Sequence, residues 1–496
     1  DMKEVSVAEF FEKNRHLLGY ENPTKSLITV VKEAVDNSLD ATNEAGILPE
    51  IYVSVKQVGL ERFKVIVEDN GPGVIETKVP YAFGKFLYGS KFHRLKQSRG
   101  VQGLGIHGAV LYSQLTTGKP VKITTSTGKA IHTFELMIDV ARNEPHIISH
   151  KKEKNPNKWH GVRIEMEVEG RYVEKSQSIP EYLKQTAIAN PYAHIIYDGP
   201  NGKIEFKRTT KQIPKQPKEI KPHLHGVEVG TIARMIEETT ARSLAGFLMN
   251  EFSRVGKQTA EEICRKAGID PKIMPSKLTH EDIVNLVKAI KETKLTRPPT
   301  DCLSPLGGEL IENGLRKELN PDFVATLSRP PEVYRGWPFQ VEVGIAYGGS
   351  ITEPLFMRFA NRVPLLYQQG ECAITKAVSQ IDWKRYGVDA DKMPQGPIAI
   401  FVHLASVWVP FNSEAKESIA NYPIIIKEIK LALQDCARKL SVYLSGVRRA
   451  QAIKEKKQIF ERYADETALA LEELTGENKE KIKEKLLQIV KERWSE

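Results

Sequence analysis

The chain contains 496 residues, of which 41% are hydrophobic and 27% are charged, values that are typical of globular proteins. It has no apolar run of about eighteen residues, and its first residues lack the basic start and apolar core of a signal peptide, so the sequence predicts neither membrane insertion nor secretion. A net charge of +9 and a pI of about 9.0 are compatible with a nucleic-acid partner.

The four cysteines indicate a reducing compartment. They are far apart and include no C-x-x-C pair, which argues against a structural zinc site and against a disulfide framework. We therefore expect a protein of the reducing cytoplasm, and the lack of a long apolar run predicts no membrane partner. The cysteines are Cys264, Cys302, Cys372 and Cys436.

The first strongly marked element is a helix that begins at Asn22-Pro23, with Asn as N-cap and Pro at the first helical position, and stops before Gly46 and Pro49. Its apolar face is formed by Leu27, Val31, Ala34, Val35 and Leu39. A second, polar stripe at i, i+3, i+4 and i+7 consists of Glu33, Asp36, Asn37 and Asp40. Such a stripe is either a solvated face or a set of functional groups.

Strand patterns follow the helix. Residues 51–58 and 62–70 alternate between apolar and polar side chains and are joined by a turn at Gly59, which predicts a hairpin. Further strands are expected at 121–126, 131–139 and 161–168. Adjacent hairpins with helices elsewhere favour an antiparallel or mixed sheet that is covered on one face.

Two glycine-containing segments accompany these strands. The segment E-D-N-G-P-G at 68–73 closes a strand with Asp69, Gly71 and Gly73, although an ordinary turn is an alternative interpretation. The segment 89–110 contains Gly100, Gly103, Gly105 and Gly108 before an apolar helix. Backbone N–H groups at such a helix start can bind anions.

Two other phosphate-binding motifs fit the second segment poorly. It contains G-L-G-I-H-G, which matches G-x-G-x-x-G, but a basic stretch precedes it in place of a strand and no acidic residue follows at the required distance. A dinucleotide site is therefore disfavoured. No G-x-x-x-x-G-K-[ST] motif occurs in the sequence.

The rest of the chain alternates in composition. A segment rich in Pro and Lys at 209–226 indicates a domain boundary. Several short helices are expected after it, to about residue 300, and strand patterns return from about 330. The tail from about 414 is predicted to be mostly helical. Taken alone, Lys416 in N-S-E-A-K-E-S-I-A is an ordinary helical lysine.

These pieces together resemble the GHKL ATPases, which include gyrase, the heat-shock chaperone, histidine kinases and the mismatch-repair ATPase. The shared motifs are E-x-x-D-N at 33–37, D-x-G-x-G at 69–73 and G-x-x-G-x-G at 100–105. Over nearly its full length the chain is similar to the B subunits of the type IIB topoisomerase VI family. The stretches that carry this similarity include V-A-E-F-F-E-K-N, N-S-L-D-A-T, L-Y-G-S-K-F, D-W-K-R-Y-G and A-K-E-S-I-A.

The resemblance implies an α+β fold in four parts. These are a GHKL (Bergerat) ATPase sandwich at 1–226, a helix-two-turns-helix-like insert at 227–300, an α/β transducer domain at 301–460, and a C-terminal helical segment at 461–496 that contacts a partner. The basic residues of the insert are candidates for DNA contact, with a packing module as the alternative.

The resemblance also implies roles for individual residues, with ATP and Mg²⁺ as cofactors. Glu33 would be the general base, Asn37 would bind Mg²⁺, Asp69 would accept a hydrogen bond from the adenine amino group, and Lys416 would reach the γ-phosphate. Asp36 and Asp40 would be structural. The remaining ATP-binding residues would be Gly71, Gly73, Ser90, Lys91, Gly100, Val101, Gln102, Gly103, Leu104, Gly105, Ile106 and His107.

The implied function is an ATP-driven clamp on double-stranded DNA. ATP would dimerise two B subunits around a duplex, and a separate A subunit would make the double-strand break, in an A2B2 complex of the nucleoid that relaxes supercoils and decatenates. The alternatives are a mismatch-repair clamp, which the helical insert argues against, a histidine kinase, which would need an upstream dimerisation helix pair, and a scaffold without hydrolysis. An archaeal source is expected.

Overall fold

The computed structural model describes residues 6–86, 88, 95–100, 105–413 and 415–494, and of the side chains of 493 and 494 nothing is described. The helices are α1 (Val7–Lys13), α2 (Arg15–Leu18), α3 (Pro23–Glu44), α4 (Val79–Gly84), α5 (Gly105–Thr117), α6 (Ile179–Ala189), α7 (Val229–Glu238), α8 (Leu244–Glu251), α9 (Lys257–Ala267), α10 (His280–Glu292), α11 (Gly308–Leu319), α12 (Ala373–Ser379), α13 (Pro423–Thr475) and α14 (Lys479–Trp494).

The strands are β1 (Glu50–Gly59), β2 (Arg62–Asp69), β3 (Val121–Thr127), β4 (Ala130–Asp139), β5 (Glu144–Lys154), β6 (His160–Glu169), β7 (His194–Gly199), β8 (Gly202–Phe206), β9 (Phe323–Ser328), β10 (Glu332–Tyr334), β11 (Trp337–Tyr347), β12 (Leu355–Ala360), β13 (Val363–Pro364) and β14 (Ile398–Ser406). Within the described ranges, no helix is both long and apolar enough to cross a bilayer.

The first sheet has eight strands in the order β5-β4-β3-β6-β2-β1-β7-β8, and only the β1–β7 pair is parallel among these neighbours. Alternate residues of β2 are buried, and helices α3 and α5 pack on the sheet. The five strands expected from the sequence are confirmed, as is the mixed sheet. β5 was not anticipated because most of its residues are exposed and its pattern does not alternate.

Helix α3 starts as its sequence predicts. The Asn22 side chain accepts a hydrogen bond from the backbone N–H of Lys25 at 2.9 Å, and Pro23 occupies the first turn. The helix ends at Glu44, before Gly46. Its apolar face joins the core of the first sheet, so the polar stripe is held in one orientation.

Helices α7 to α10 surround a hydrophobic core of their own, whose largest side chains are Phe247 and Phe252. Helix α10 starts with a capping box, in which the Asp282 N–H donates to Thr279 Oγ1 at 3.2 Å and the Thr279 N–H donates to Asp282 Oδ2 at 2.8 Å. The short helices expected in this segment are confirmed.

The second sheet has the order β10-β11-β14-β12-β13, and β9 also pairs with β11. All nine residues of β14 are buried, because this strand lies in the middle of the sheet. Helix α11 packs against β9, β11 and α6.

The tail is helical only from Pro423, so the helix expected from about 414 was placed too early. The segment before it forms a loop closed by an isolated bridge between Phe411 and Ile419, and the Ala420 N–H donates to the Pro410 carbonyl at 2.8 Å. Lys416 lies within this loop at φ +55°, which is incompatible with a right-handed helix.

The chain divides into two compact units, residues 1–381 with 396–436, and residues 382–395 with 437–496. In the second unit, Asp465 near the end of α13 pairs with Lys479 and Lys483 of α14 at 3.6 and 2.8 Å. These ion pairs join the two C-terminal helices.

Candidate active site

The four residues of the polar stripe of α3 are buried to different extents. Asp36 and Asp40 are buried, whereas Glu33 and Asn37 are half-buried. The Tyr182 O–H donates to Asp36 Oδ1 at 2.9 Å. Burial raises the pKa of Asp36 to about 7, with Glu33 adding to the shift while Lys32, Arg99 and the Tyr182 hydrogen bond oppose it.

Asp40 is held by Arg99, which enters the glycine-rich segment. The two buried side chains form an ion pair of 3.0 Å, and the Gly100 N–H donates to Asp40 Oδ2 at 3.3 Å. Arg99 also donates to Asn190 and, at 3.2 Å, to the hydroxyl of Tyr192. Burial alone would lower the pKa of Arg99, but Tyr192 and Asp40 raise it, so the guanidinium stays charged.

The carboxylate of Asp69 is fixed at the end of β2 by three donors. The Gly71 and Val162 N–H groups donate to Oδ1 at 2.8 and 3.2 Å, and the Ser38 hydroxyl donates to Oδ2 at 2.8 Å. Burial raises the pKa of Asp69, and these hydrogen bonds oppose that increase. The carboxylate therefore has one orientation, and Oδ2 keeps acceptor capacity for a further donor.

The glycines after Asp69 permit close backbone contacts. Gly73 has φ +74°, and a Cβ there would lie 2.0 Å from the Ser126 carbonyl oxygen. A Cβ on Gly71 would lie 2.9 Å from Asp69 Oδ1. Side chains at these two positions would displace the carboxylate or the strand beside it.

Glu33 lies against the start of α5. A Cβ on Gly105 would stand 1.7 Å from Glu33 Oε2, so only glycine lets the helix start approach this carboxylate. Ile106 and the buried His107 follow in the first turn. The sequence predictions for Ser90, Lys91, Val101, Gln102, Gly103 and Leu104 lie outside the described residues.

A cleft adjoins Glu33 at the meeting point of α3, the start of α5 and the loop before α13. Its lining includes Lys25, Lys32 and Glu33 of α3, Gly105 and Gly108 of α5, Leu365 and Tyr367 after β13, and Lys416 and Glu417. A second, smaller cleft shares Lys32, Glu33, Leu365 and Lys416 with it. Asp69 lines neither of these two clefts.

Lys416 reaches this site from the loop before α13. Burial lowers the pKa of Lys416, while the charge of Glu33 opposes that decrease. The structure therefore brings Glu33, Gly105 and Lys416 to one cleft, although they come from distant parts of the chain.

The donor set at α3 fits a magnesium ion. Asn37 offers an amide oxygen, and a Cβ on Gly100 would lie 3.8 Å from Asn37 Oδ1, so this oxygen faces the start of the glycine-rich segment. Mg²⁺ takes oxygen ligands and retains several waters, which leaves room for phosphate oxygens.

A second group of possible metal ligands lies on the first sheet. Glu76, His132 and His150 have ligand atoms within 4.8 Å of one another. Lys152 already brings a cation to 4.0 Å from Glu76 Oε2, and the two histidines are hydrogen-bonded at 3.1 Å. The cluster therefore has electrostatic compensation of its own.

Sequence reasoning missed several residues that shape the site. Ser38 and Tyr182 orient the carboxylates of Asp69 and Asp36, Arg99 fixes Asp40, and Glu417 forms a buried ion pair with Lys25. Ser38 and Arg99 stand next to recognised motifs and could have been noticed there. The Lys25–Glu417 pair has no local signal, because its members are distant in sequence.

Residues 22–141 match the family model described as "Histidine kinase-, DNA gyrase B-, and HSP90-like ATPase". Residues 298–457 match the one described as "Topoisomerase VI B subunit, transducer". Fold and site thus define an ATPase of the GHKL class that binds a nucleotide.

Relatives that are named as the B subunit of type 2 DNA topoisomerase 6 identify a particular family within this class. The chain is 50% identical over 468 residues to the protein of Methanosarcina barkeri, covering 92% of this chain and 75% of that one. It is 49% identical to the protein of Archaeoglobus fulgidus, covering 89% and 74%, and 44% identical to that of Pyrococcus horikoshii, covering 99% and 95%.

The chain belongs to the family of type 2 DNA topoisomerase 6 B subunits. It is an ATP-hydrolysing subunit of a type II topoisomerase, as the three GHKL motifs predicted for the ATPase and the full-length resemblance predicted for the topoisomerase. The mismatch-repair alternative finds no support, and archaeal relatives agree with the expected source.

Proposed function

We propose that Glu33 is the general base of ATP hydrolysis and that Lys416 contacts the γ-phosphate. The observation that carries this proposal is the shared cleft, in which a carboxylate of α3, the glycine-rich start of α5 and a lysine from the loop before α13 meet. Phosphoryl transfer depends on positioning and charge stabilisation, which a fixed carboxylate and a fixed cation supply.

The remaining site residues would bind the nucleotide. Asp69 would accept the adenine amino group at Oδ2, with Gly71 and Gly73 allowing close approach, and Asn37 would hold Mg²⁺ through its amide oxygen. The phosphates would lie against the first turn of α5, where N–H groups and the helix dipole favour anions. Ser90, Lys91, Gly100, Val101, Gln102, Gly103, Leu104, Gly105, Ile106 and His107 would complete this part of the site.

At the level of the assembly, ATP would dimerise two copies of the chain and capture double-stranded DNA between them. An A subunit, docked on the C-terminal helices at 461–496, would make the double-strand break in an A2B2 complex located at the nucleoid of the cytoplasm. The parts of the chain would be the ATPase domain at 1–226, the insert at 227–300 and the transducer at 301–460. Relaxation and decatenation would follow from strand passage.

The test uses the chain purified with the A subunit from the same organism, supercoiled plasmid, Mg²⁺ and ATP. We expect relaxation that requires both subunits and ATP, and dimerisation with a non-hydrolysable analogue, measured by light scattering. Hydrolysis without relaxation in the presence of the A subunit would contradict the strand-passage role. Relaxation that persists without Mg²⁺ would contradict the metal assignment.

A further inference from the structure

Lys25 occupies an unfavourable position for a cation. It lies in the first turn of α3, where the helix dipole disfavours positive charge, and only 4% of its surface is exposed. Lysine is almost never fully buried unless it is paired. The residue therefore serves an interaction that α3 itself does not provide.

That interaction is an ion pair with Glu417, which is 5% exposed and directly follows Lys416. The Lys25 ammonium also lies 2.9 Å from Glu21 and 4.8 Å from the ring centroid of Tyr367. The Glu21 side chain is 44% exposed, so solvent screens that contact. Glu417 is the buried partner. Its Oε2 has no hydrogen-bond partner in the part of the chain that the structure describes, and its Oε1 forms the ion pair with Lys25.

Glu417 is also anchored from the transducer side. Its carbonyl accepts a hydrogen bond from the buried Arg358 of β12 at 3.5 Å. The next residue, Ser418, donates to Gln368 Oε1 at 3.2 Å. The backbone of Glu417 is thus fixed to the second sheet, while its side chain is fixed to α3.

Glu33 stands eight residues beyond Lys25 on the same helix, roughly 12 Å along its axis. Lys416 adopts the left-handed backbone conformation, which a lysine rarely takes unless its surroundings impose it. An anchor on the adjacent residue supplies such a constraint. Helix α3 therefore carries both Glu33, the proposed base, and Lys25, the residue that anchors the loop containing Lys416.

We propose that the Lys25–Glu417 ion pair positions Lys416 at the ATP cleft and thereby fixes the location of this transducer lysine relative to Glu33. Both members line the cleft, and the role assigned to them here is to position Lys416. This inference rests on the proposed role of Lys416. It assigns to a lysine of the ATPase region the task of coupling the two parts of the active site.

The test compares Lys25→Met, Glu417→Gln, the double variant, and the reversed pair Lys25→Glu/Glu417→Lys. We expect each single variant to lower the kcat of ATP hydrolysis by about tenfold or more, because Lys416 loses its position. The Kd of a non-hydrolysable ATP analogue should change by less than about threefold. The double variant should lose no more than either single variant, because the two residues act as a unit.

The reversed pair should recover at least about a third of the wild-type kcat, since a carboxylate at residue 25 suits the helix start and the charges still attract. The matched control is Lys119→Met, which breaks an ion pair of 2.7 Å with Glu167 on the surface of the first sheet. It should leave kcat and Kd unchanged. Thermal unfolding midpoints verify that each variant is folded.

Three results would overturn the proposal: normal kcat in both single variants while Lys416→Ala is impaired, additive losses in the double variant, or parallel loss of nucleotide binding. If a single variant does not fold, the reversed pair provides the test of the proposal. A reversed pair that does not fold, or one that folds but has no ATPase activity, would reject a positioning role. Normal turnover in Lys416→Ala would instead refute the proposed role of Lys416 itself.

Discussion

Arg99 and Asp40 form a buried ion pair of 3.0 Å between the residue that enters the glycine-rich segment and the ATPase helix α3. The two residues before Arg99 are hydrogen-bonded to the second sheet and its flanking loop. Asn361 donates to the Ser98 carbonyl at 3.1 Å, and Gln97 exchanges hydrogen bonds with Ser304 at 3.0 and 2.8 Å. The stem of the segment is therefore fixed to both parts of the active site.

Glu33→Ala is expected to abolish ATP turnover while nucleotide binding and ATP-dependent dimerisation remain. Binding and water activation use different groups, and a general base contributes about 10²–10⁴-fold to the rate. Steady-state hydrolysis and analogue binding measure the two effects. Glu44→Gln, an exposed position at the end of the same helix, is the control. Near-normal turnover in Glu33→Ala would refute the assignment.

Lys416→Ala should reduce hydrolysis by roughly 10²-fold, since a cation that stabilises charge in the transition state is lost. Nucleotide binding should largely survive, because Asp69 and the start of α5 remain. Single-turnover hydrolysis and equilibrium binding separate these quantities. Lys427→Met, an exposed lysine of α13, serves as control. Lost binding with normal turnover per bound ATP would contradict the role.

Asp36 makes the stability of the ATPase region dependent on pH. Its pKa is about 7 in the folded protein and about 3.9 in an unfolded chain, so the folded state binds more protons between these values. The stabilisation from protonated Asp36 is complete below pH ~4 and is lost as the pH rises through 7.

Asp36→Asn cannot ionise and still accepts the Tyr182 hydrogen bond. From pH 5 to pH 8 the variant should therefore gain about 2–3 kcal/mol of unfolding free energy relative to the wild-type protein. Urea unfolding at both pH values measures the difference, with Glu44→Gln as the control. A pH-independent difference would show that Asp36 is ionised throughout this range.

The helical insert offers a test of DNA contact. Arg254, Lys257, Arg265 and Lys266 are all exposed, Lys266 is paired with Glu262 at 2.8 Å, and Lys257 lies 4.0 Å from Glu261. Replacing Arg254, Lys257 and Arg265 by Glu should weaken duplex binding and reduce the salt slope by roughly 0.9 for each lost phosphate contact. Binding is measured by fluorescence anisotropy over a salt series.

The control for net charge reverses three exposed lysines of β5, Lys151, Lys152 and Lys154. It should have a smaller effect than the insert variant. Equal effects of the two variants, or an unchanged affinity and salt slope in the insert variant, would support a packing role for the insert instead.

Local signals in the sequence were sufficient for the elements that carry the site. Asn22 and Pro23 start α3 through their own backbone preferences, and the alternation at residues 62–69 places β2, because these interactions lie within a few residues. The motifs then indicated the ATPase class, since each motif combines residue types that a nucleotide requires at short spacing.

Features that depend on contacts between residues distant in sequence are evident only in the tertiary structure. The local sequence around Lys416 predicts a helix, yet a bridge between Phe411 and Ile419 closes this segment into a loop. The buried partners of Lys25 and Arg99 likewise come from remote parts of the chain. The sequence by itself predicted which groups would perform the chemistry, because short motifs contain them. Only packing determined where those groups meet, because the free energy of burying a charge depends on a partner that no local pattern specifies.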